Sequence, residues 1–239
     1  MNILITGGTS GLGKAIIEKL ILDKDNKVFF TYCHNKKSAD DLLLTYSNSV
    51  AFQVDFSIDE SVDIFIEQLK TMEIDVLVNN AYSGKAQGTY FHKTGFQEYQ
   101  TAFHDNILPL IKITQCCVTG MRKRRFGKII NVITSYVMDV PPMGFSVYTA
   151  TKAYIRQLSK SLSKEYGRFN ITANCILPDY MQTPFGKVED FQLEEMVSAH
   201  PLKKLLEPEE VADVIIGIIF ASQQLNGVEI PINAAQHIV

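Results

Sequence analysis

The chain has 239 residues, of which 46% are hydrophobic, and a formal net charge of -3. Its length predicts one large domain spanning residues 1–239, and its slight acidity excludes a general attraction to nucleic acid or to anionic lipid. No apolar run approaches the roughly 20 residues of a membrane span, and the N-terminus lacks the basic-then-apolar plan of a signal peptide. We therefore expect a cytoplasmic protein.

The first predicted element is a short buried strand at residues 2–6, followed by a glycine-rich turn and an amphipathic helix. Gly7, Gly11 and Gly13 give the turn the spacing G-x-x-x-G-x-G. Glycines let a backbone approach a pyrophosphate closely, and the free amides at a helix start attract its charge. The pattern indicates a nucleotide site, although a glycine motif alone also fits an ordinary tight turn.

Apolar runs of strand length then alternate with longer segments of helical period. The predicted strands cover residues 28–32, 50–54, 74–79, 129–133, 171–176 and 227–232. Continuous apolar runs that alternate with helices predict a doubly wound α/β fold, in which a parallel sheet carries helices on both faces. In such sheets ligands bind beyond the carboxyl ends of the strands, so we expect the loops at 141–144 and 183–190 to border the site.

The four cysteines, Cys33, Cys116, Cys117 and Cys175, show neither C-x-x-C nor Cys/His ligand spacing. Adjacent cysteines such as Cys116 and Cys117 rarely bridge each other. We predict free thiols, mostly buried, and no metal site.

Tyr148 and Lys152 stand four residues apart, so on a helix they share one face. A nearby cation favours the phenolate, and Lys152 is therefore predicted to lower the pKa of Tyr148. The pair provides general acid and base chemistry near neutral pH. Taken alone, such a pair also recurs by chance on ordinary helices.

Together, the ordered motifs of the chain resemble those of the short-chain dehydrogenase/reductase family. They are Thr6-Gly7-Gly8-x-x-Gly11-x-Gly13, Asn79-Asn80-Ala81, Ser135 and Tyr148-x-x-x-Lys152. The resemblance covers essentially the whole chain. Within the family, the sequence most resembles the 3-oxoacyl-thioester reductases. The resemblance implies a Rossmann-type domain that transfers hydride between a nicotinamide cofactor and an alcohol/carbonyl pair without metal.

The resemblance also implies roles for single residues. Tyr148 would protonate the carbonyl oxygen, Lys152 would hold the nicotinamide ribose, and Ser135 would hydrogen-bond the same oxygen. Asn106, inside a predicted helix at 97–121, would order a water for proton relay. Ser135 also fits a plain loop serine, and Asn106 an ordinary helix asparagine.

The turn after the second strand, Tyr32-Cys33-His34-Asn35-Lys36-Lys37, lacks the acid that would repel a 2'-phosphate. The absence of an acid in this turn favours NADP(H) over NAD(H). A solvated basic loop would have the same composition, however, and Ser10 stands where the family often has a basic residue. Asp55 resembles the acid that bonds adenine, or it caps a helix. The implied cofactor-binding residues are Gly7, Thr9, Ser10, Gly11, Leu12, Gly13, Tyr32, His34, Asn35, Asp55, Asn79, Asn80, Ala81, Tyr148, Lys152 and Pro178.

At several positions this chain has a side chain where the family has glycine. They are Tyr82 after Asn-Asn-Ala, Asp179 after Pro178, and Ala234-Ala235 near the C-terminus. Glycine permits close approach and positive backbone angles, so we expect Tyr82 and Asp179 either to narrow the pocket or to shift the loops. Altered specificity is the predicted consequence, rather than lost catalysis.

The expected partner is a small-molecule carbonyl or alcohol substrate. A basic patch with Arg124, Arg125 and Arg168 is compatible with an acyl carrier protein, or merely complements a helix dipole. A substrate lid is expected at about 181–206. We also expect a homodimer or homotetramer that forms through the helices near 97–121 and 148–166. Packing in the core explains the apolar residues of these helices almost as well. The alternative function is a fold-retaining nicotinamide sensor or scaffold.

Overall fold

The computed structural model describes residues 1–9, 11–84, 88–183 and 190–236. Its sheet has seven parallel strands in the order β3-β2-β1-β4-β5-β6-β7. The strands are β1 (Asn2–Ile5), β2 (Lys27–Tyr32), β3 (Ser49–Gln53), β4 (Val76–Asn79), β5 (Gly127–Val132), β6 (Ile171–Pro178) and β7 (Glu229–Ile232). The predicted doubly wound fold is confirmed, and each predicted strand overlaps an observed one.

Helices cover both faces of the sheet. They are α1 (Gly11–Leu20), α2 (Lys36–Thr45), α3 (Asp59–Leu69), α4 (Phe96–Asn106), α5 (Leu108–Arg124), α6 (Ser146–Tyr166), α7 (Asp190–Ala199) and α8 (Pro208–Phe220). Because successive strand residues point to opposite faces, Ile3 and Ile5 of β1 join the core beneath α1 and α8, whereas Leu4 joins the core beneath α3 and α5. Both faces of β1 are therefore apolar, as the continuous run predicted.

The predicted single helix at 97–121 is wrong, because the segment forms two helices that meet at Ile107. Pro109 occupies the first turn of α5. Proline lacks the amide hydrogen that an unbroken helix needs, and its ring clashes with the preceding turn. The break leaves Asn106 as the last residue of α4, where its side chain bonds Ser83 in the loop after β4.

A buried row of polar side chains joins the middle of the sheet to α6. The Nδ2 of Asn79 donates to Oδ1 of Asn131 at 2.8 Å and to Oγ1 of Thr114 at 3.2 Å, and the Nδ2 of Asn131 donates to Oγ of Ser159 at 3.1 Å. All four residues are buried, so each bond replaces one that water would otherwise provide.

The segment predicted as a lid contains α7, and Met181 pairs with Leu206 at its two ends. Residues 184–189 of that segment lie outside the described residues. Of the helices the structure describes, none is long and apolar enough to cross a membrane.

Candidate active site

A cavity of about 950 Å³ lies beyond the carboxyl ends of the central strands. Its wall runs from the glycine-rich turn after β1, past the ends of β4 and β5, to Tyr148 and Lys152 on α6. The chain reverses its strand order between β1 and β4, which is where doubly wound sheets bind ligands. The topology thus brings the glycine-rich turn, Asn80, Ala81, Tyr148 and Lys152 around one space. Of the other predicted residues that the structure describes, Ser135, Asn79 and Asn106 are not among those that line it.

The glycine-rich turn is built for a closely approaching ligand. Gly7 has a φ of +71° and donates its amide hydrogen to Oγ1 of Thr31 at 3.1 Å. A Cβ on Gly13 would lie 2.1 Å from the carbonyl oxygen of Gly7, so no side chain fits there. Gly11 and Leu12 open α1 towards the cavity, which directs the free amides of its first turn at any anion bound there. Ser10 lies outside the described residues.

The end of β4 is fastened to this turn by hydrogen bonds. Oγ1 of Thr6 accepts from the amides of Asn80 and Ala81, both at 3.0 Å, and Nδ2 of Asn80 donates to the carbonyl of Gly7 at 3.1 Å. Asn80 and Ala81 line the cavity. Asn79 was predicted beside them, but its side chain points into the sheet towards Asn131.

The turn after β2 lies at the far end of the cavity, where Tyr32, Cys33, His34 and Asn35 line the wall. Oδ1 of Asn35 caps α2 by accepting from the amide of Ser38 at 3.1 Å, and its Nδ2 reaches the carbonyl of Thr9 at 3.4 Å. The side chains of His34, Lys36 and Lys37 are exposed. This leaves the three basic groups accessible to a phosphate.

Asp55 follows β3 and also lines the cavity. Its Oδ1 accepts from the amide of Ser57 at 2.9 Å and from Oγ of Ser57 at 2.6 Å, and these bonds lower the pKa of the carboxyl group. Asp55 therefore stabilises the turn ahead of α3, and its bond to adenine stays a prediction.

Tyr148 and Lys152 lie in the first two turns of α6. Lys152 is buried, and its Nζ donates to the carbonyl of Val132 at 2.9 Å while lying 5.8 Å from the ring centre of Tyr148. Burial lowers the pKa of Lys152 to about 8.

The predicted lowering of the Tyr148 pKa is not what this geometry gives. Burial raises the pKa of Tyr148, with smaller contributions in the same direction from Tyr82 and Tyr136 and an opposing hydrogen bond with Thr134. Two effects on the phenolate oppose each other: desolvation disfavours it, and the positive charge of Lys152 favours it. Desolvation is the larger effect, because the Nζ of Lys152 is directed at the carbonyl of Val132. Tyr148 is thus held as a phenol, which is the form that donates a proton.

Ser135 follows β5 and is buried at 1% exposure. Its Oγ donates to Oδ1 of Asp179 at 3.2 Å. Asp179 follows β6, and its amide donates to the carbonyl of Ile232 at 3.0 Å, which fixes its backbone against β7. The residue predicted to contact a substrate oxygen is therefore bonded to the carboxylate that replaces the family glycine.

Asn106 holds the loop after β4. Its Oδ1 accepts from the amide of Ser83 at 2.7 Å, and its Nδ2 donates to the carbonyls of Ser83 and Ala102 at 3.1 and 2.9 Å. These bonds position the backbone next to Tyr82, one wall of the cavity. Asn106 therefore fixes that loop, and its role in ordering a water for proton relay stays a prediction.

Aromatic rings line the part of the cavity around Tyr148. The ring centre of Tyr82 lies 5.1 Å from that of Tyr148 and 4.9 Å from Nζ of Lys152, and Phe145 lies edge-on to both Tyr148 and Tyr136. Sequence reasoning singled out Tyr82 but missed Tyr136, Phe145 and Tyr180, which also line the cavity. The sequence could have indicated them, because Tyr136 follows Ser135, Tyr180 follows Asp179, and Phe145 stands three residues before Tyr148.

Ala234 and Ala235, the alanines predicted to stand in place of glycine, both have positive φ angles. Their φ angles are +49° and +62°, and the amide of Gln236 donates to the carbonyl of Asn233 at 2.8 Å. Two positive φ angles inside a four-residue hydrogen-bonded turn are the features of a type I' turn. Alanine is strained at both positions.

The basic patch lies at the other end of the sheet from the cavity. Arg125 lies just before β5 and Arg168 just before β6, with their guanidinium carbons 6.0 and 4.8 Å from the ring centre of Phe169. Arg124 of the same patch donates to the carbonyl of Ile74. Cys33, Cys116, Cys117 and Cys175 are free thiols. Within the described part of the chain, no group of three or more His, Cys, Asp or Glu residues could hold a metal ion.

Comparison with known proteins identifies the class. The short chain dehydrogenase family matches residues 1–192, and the chain belongs to that family. It is accordingly an NAD(P)-dependent oxidoreductase that resembles 3-oxoacyl-(acyl-carrier-protein) reductases.

Individual relatives and solved structures are similar to this chain over nearly its whole length. The acetoacetyl-CoA reductase of Shinella zoogloeoides is 31% identical over 89% of this chain and 88% of its own length. The 3-oxoacyl-(acyl-carrier-protein) reductase of Chlamydia pneumoniae is 30% identical over 94% and 90%. The structure of ElxO with NADP bound matches with a TM-score of 0.84 at 25% identity, covering 98% of both chains. YwfH, an NADPH-dependent reductase of bacilysin biosynthesis, matches in fold with a TM-score of 0.86 at 20% identity, over 99% of this chain and 98% of its own.

Proposed function

We propose that residues 1–239 form a single-domain NADPH-dependent reductase that converts a ketone to a secondary alcohol, with Tyr148 as the general acid. The observation that carries the proposal is one cavity lined by the glycine-rich turn, Tyr148 and Lys152. A bound nicotinamide cofactor would supply hydride to the carbonyl carbon. The turn at 7–13, Asn80, Ala81 and Lys152 would hold it, since the crowding at Gly13 and the open helix start fit a pyrophosphate.

Tyr148 would donate its phenolic proton to the carbonyl oxygen as the electron pair of the C=O bond moves onto that oxygen. The raised pKa supports this role, because the phenol stays protonated across the neutral range. The phenolate left behind would lie near the ammonium of Lys152, which is charged below pH about 8, and would recover a proton from solvent.

NADP(H) is the proposed cofactor in preference to NAD(H). His34, Lys36 and Lys37 are exposed at the end of β2, where an acid would be needed to select the ribose of NAD(H). The solved relative ElxO is described with NADP bound. Competition between NADPH and NADH, with Lys36→Ala and Lys37→Ala as variants, tests this preference.

For the substrate, 3-oxoacyl thioesters are the first compounds to assay, because the 30–31% identical relatives are named for them. Delivery by an acyl carrier protein has weaker support. The predicted basic patch precedes β5 and so lies at the amino edge of the sheet, whereas the cavity lies at the carboxyl edge.

The decisive experiment mixes the protein with NADPH and a panel of ketones and follows nicotinamide absorbance. Tyr148→Phe should reduce turnover by at least ~10³-fold, in the upper part of the range for general acid catalysis, and leave the Kd for NADPH nearly unchanged. Tyr46→Phe, which removes a phenol hydroxyl at the C-cap of α2 and outside the cavity lining, is the matched control and should keep full activity.

Two results would contradict the proposal. Equal activity in Tyr148→Phe would remove the assigned general acid. Measurable NADPH binding without turnover of any ketone would favour the cofactor sensor or scaffold instead.

We also propose a homodimer or homotetramer. Phe103, Leu108 and Tyr154 are exposed apolar side chains at the α4, α5 and α6 surface, and the rings of Phe103 and Tyr154 meet edge-on at 5.5 Å. An apolar surface of this kind is typical of an interface. Light scattering should give a mass of two or four chains, and Phe103→Glu should lower it; a monomeric wild type would contradict the assembly.

A further inference from the structure

The carboxylate of Asp179 changes what Ser135 can do in catalysis. A serine hydroxyl has a single hydrogen to donate, and in this structure Ser135 donates it to Oδ1 of Asp179 at 3.2 Å. The same hydrogen would be needed to bond the carbonyl oxygen of a substrate beside Tyr148. Ser135 can serve one acceptor at a time.

Binding a carbonyl group therefore takes a hydrogen bond away from Asp179. Its backbone is fixed by the bond to Ile232, and the residue is only partly exposed. A carboxylate that loses a partner in a partly desolvated cavity is destabilised unless another donor replaces it. A substrate that carries its own donor would restore the lost bond, and a substrate without one would not.

The surroundings of Asp179 favour a positively charged donor. Tyr82, Tyr136 and Phe145 line the same cavity, and aromatic rings attract cations. Glu195 of α7 adds a further carboxylate to the lining, besides Asp55 at the far end of the cavity. Among the described lining residues, Lys152 is the one lysine or arginine, and its ammonium is bonded to the carbonyl of Val132.

We infer that the substrate is a ketone bearing a protonated amine a few bonds from the carbonyl, and that Asp179 is the residue that selects it. This inference rests on the proposed function, because it names the substrate class of the same site. The carbonyl oxygen would lie about 2.8 Å from Oγ of Ser135, so Oδ1 of Asp179 is within about 6 Å of that oxygen. A nitrogen on the β carbon of the ketone can reach between the two.

Three matched probes test the inference. They are β-dimethylaminopropiophenone, its carbon isostere with CH in place of the ammonium nitrogen, and β-hydroxypropiophenone, with acetoacetyl-CoA as an anionic comparison. The expected kcat/KM for the ammonium ketone exceeds that for the isostere by about 30-fold, as a hydrogen bond between two charged groups predicts. The hydroxyl ketone should fall between them.

Asp179→Asn keeps an oxygen that can accept from Ser135 but removes the charge. The ratio of kcat/KM between the ammonium ketone and the isostere should fall by about 10-fold or more in this variant. Asp139→Asn, which changes an exposed carboxylate outside the cavity lining, should leave the ratio unchanged. The ratio is informative even where Asp179→Asn alters both rates, because an effect through Ser135 alone would change both substrates equally.

Calorimetry of the same compounds with the NADP⁺-saturated protein separates this inference from the proposed function. If no ketone is reduced, the proposed function fails, yet tighter binding of the ammonium ketone than of its isostere still supports the cation site. Equal affinities, a ratio that Asp179→Asn does not change, or a preference for the hydroxyl ketone or acetoacetyl-CoA would overturn the inference.

Discussion

Replacing Ala234 and Ala235 together with glycine should stabilise the protein. Both alanines have positive φ angles, +49° and +62°, in the turn that follows β7. An L-residue in the left-handed region has its Cβ too close to a carbonyl oxygen, and glycine has no Cβ. The substitution removes this strain without removing a side-chain contact of any size.

The expected gain follows from two opposing effects. The left-handed conformation costs an alanine about 1–2 kcal/mol, and glycine loses about 0.5–1 kcal/mol more backbone entropy on folding. Each substitution should therefore add about 0.5–1 kcal/mol to the free energy of unfolding, and the pair about 1–2 kcal/mol. For a chain of this size, that corresponds to a rise in Tm of about 4 °C.

Urea unfolding followed by circular dichroism, together with a thermal melt, measures the effect. Ala153→Gly, at an exposed position inside α6, is the control and should lower the free energy of unfolding by about 0.5–1 kcal/mol. If the double variant is destabilised like the control, the alanines are not strained, and the explanation from backbone angles is refuted.

The other predictions concern the cofactor turn and the buried lysine. Gly13→Ala should weaken NADPH binding by about 10-fold or more in a fluorescence titration, because its Cβ would overlap the carbonyl oxygen of Gly7; Gly217→Ala, where nothing lies within 4 Å of the added carbon, should leave binding unchanged. Burial lowers the pKa of Lys152 from 10.5 to about 8, so between these values the unfolded chain binds the extra proton and stability rises with pH. The free energy of unfolding of the wild type relative to Lys152→Met should increase by about 2 kcal/mol between pH 7 and 9.5, and a flat difference in pH-dependent unfolding would contradict the buried charge.

The architecture could be predicted because its signals are local and repeated. Each strand is a short apolar run, and each run alternates with a helical period, so the order of elements implied a parallel sheet. That sheet in turn placed Tyr148, Lys152 and the glycine-rich turn at one edge. Pro109 also marked the helix break from the sequence alone, although the predicted helix ran through it.

Details of the site depended on packing that no local pattern encodes. Whether Asn79 faces the cofactor or Asn131 depends on which neighbours are buried beside it. Whether the pKa of Tyr148 is raised or lowered depends on how far the surrounding rings exclude water. The spacing between Tyr148 and Lys152 in the sequence does not reveal how strongly desolvation opposes the lysine's charge. The bond from Ser135 to Asp179 joins residues 44 positions apart and required the fold itself.

The buried row from Asn79 through Asn131 to Ser159 has a consequence for the reacting groups. Ser159 lies seven residues after Lys152, two turns along the same side of α6. Apolar contacts tolerate a small rotation of a helix about its axis, but a directional amide-to-hydroxyl bond does not. The row therefore fixes the rotation of α6 about its own axis, and with it the direction of Tyr148 and Lys152. Mutations at Asn79, the end of the row away from α6, should alter reaction rates from outside the cavity.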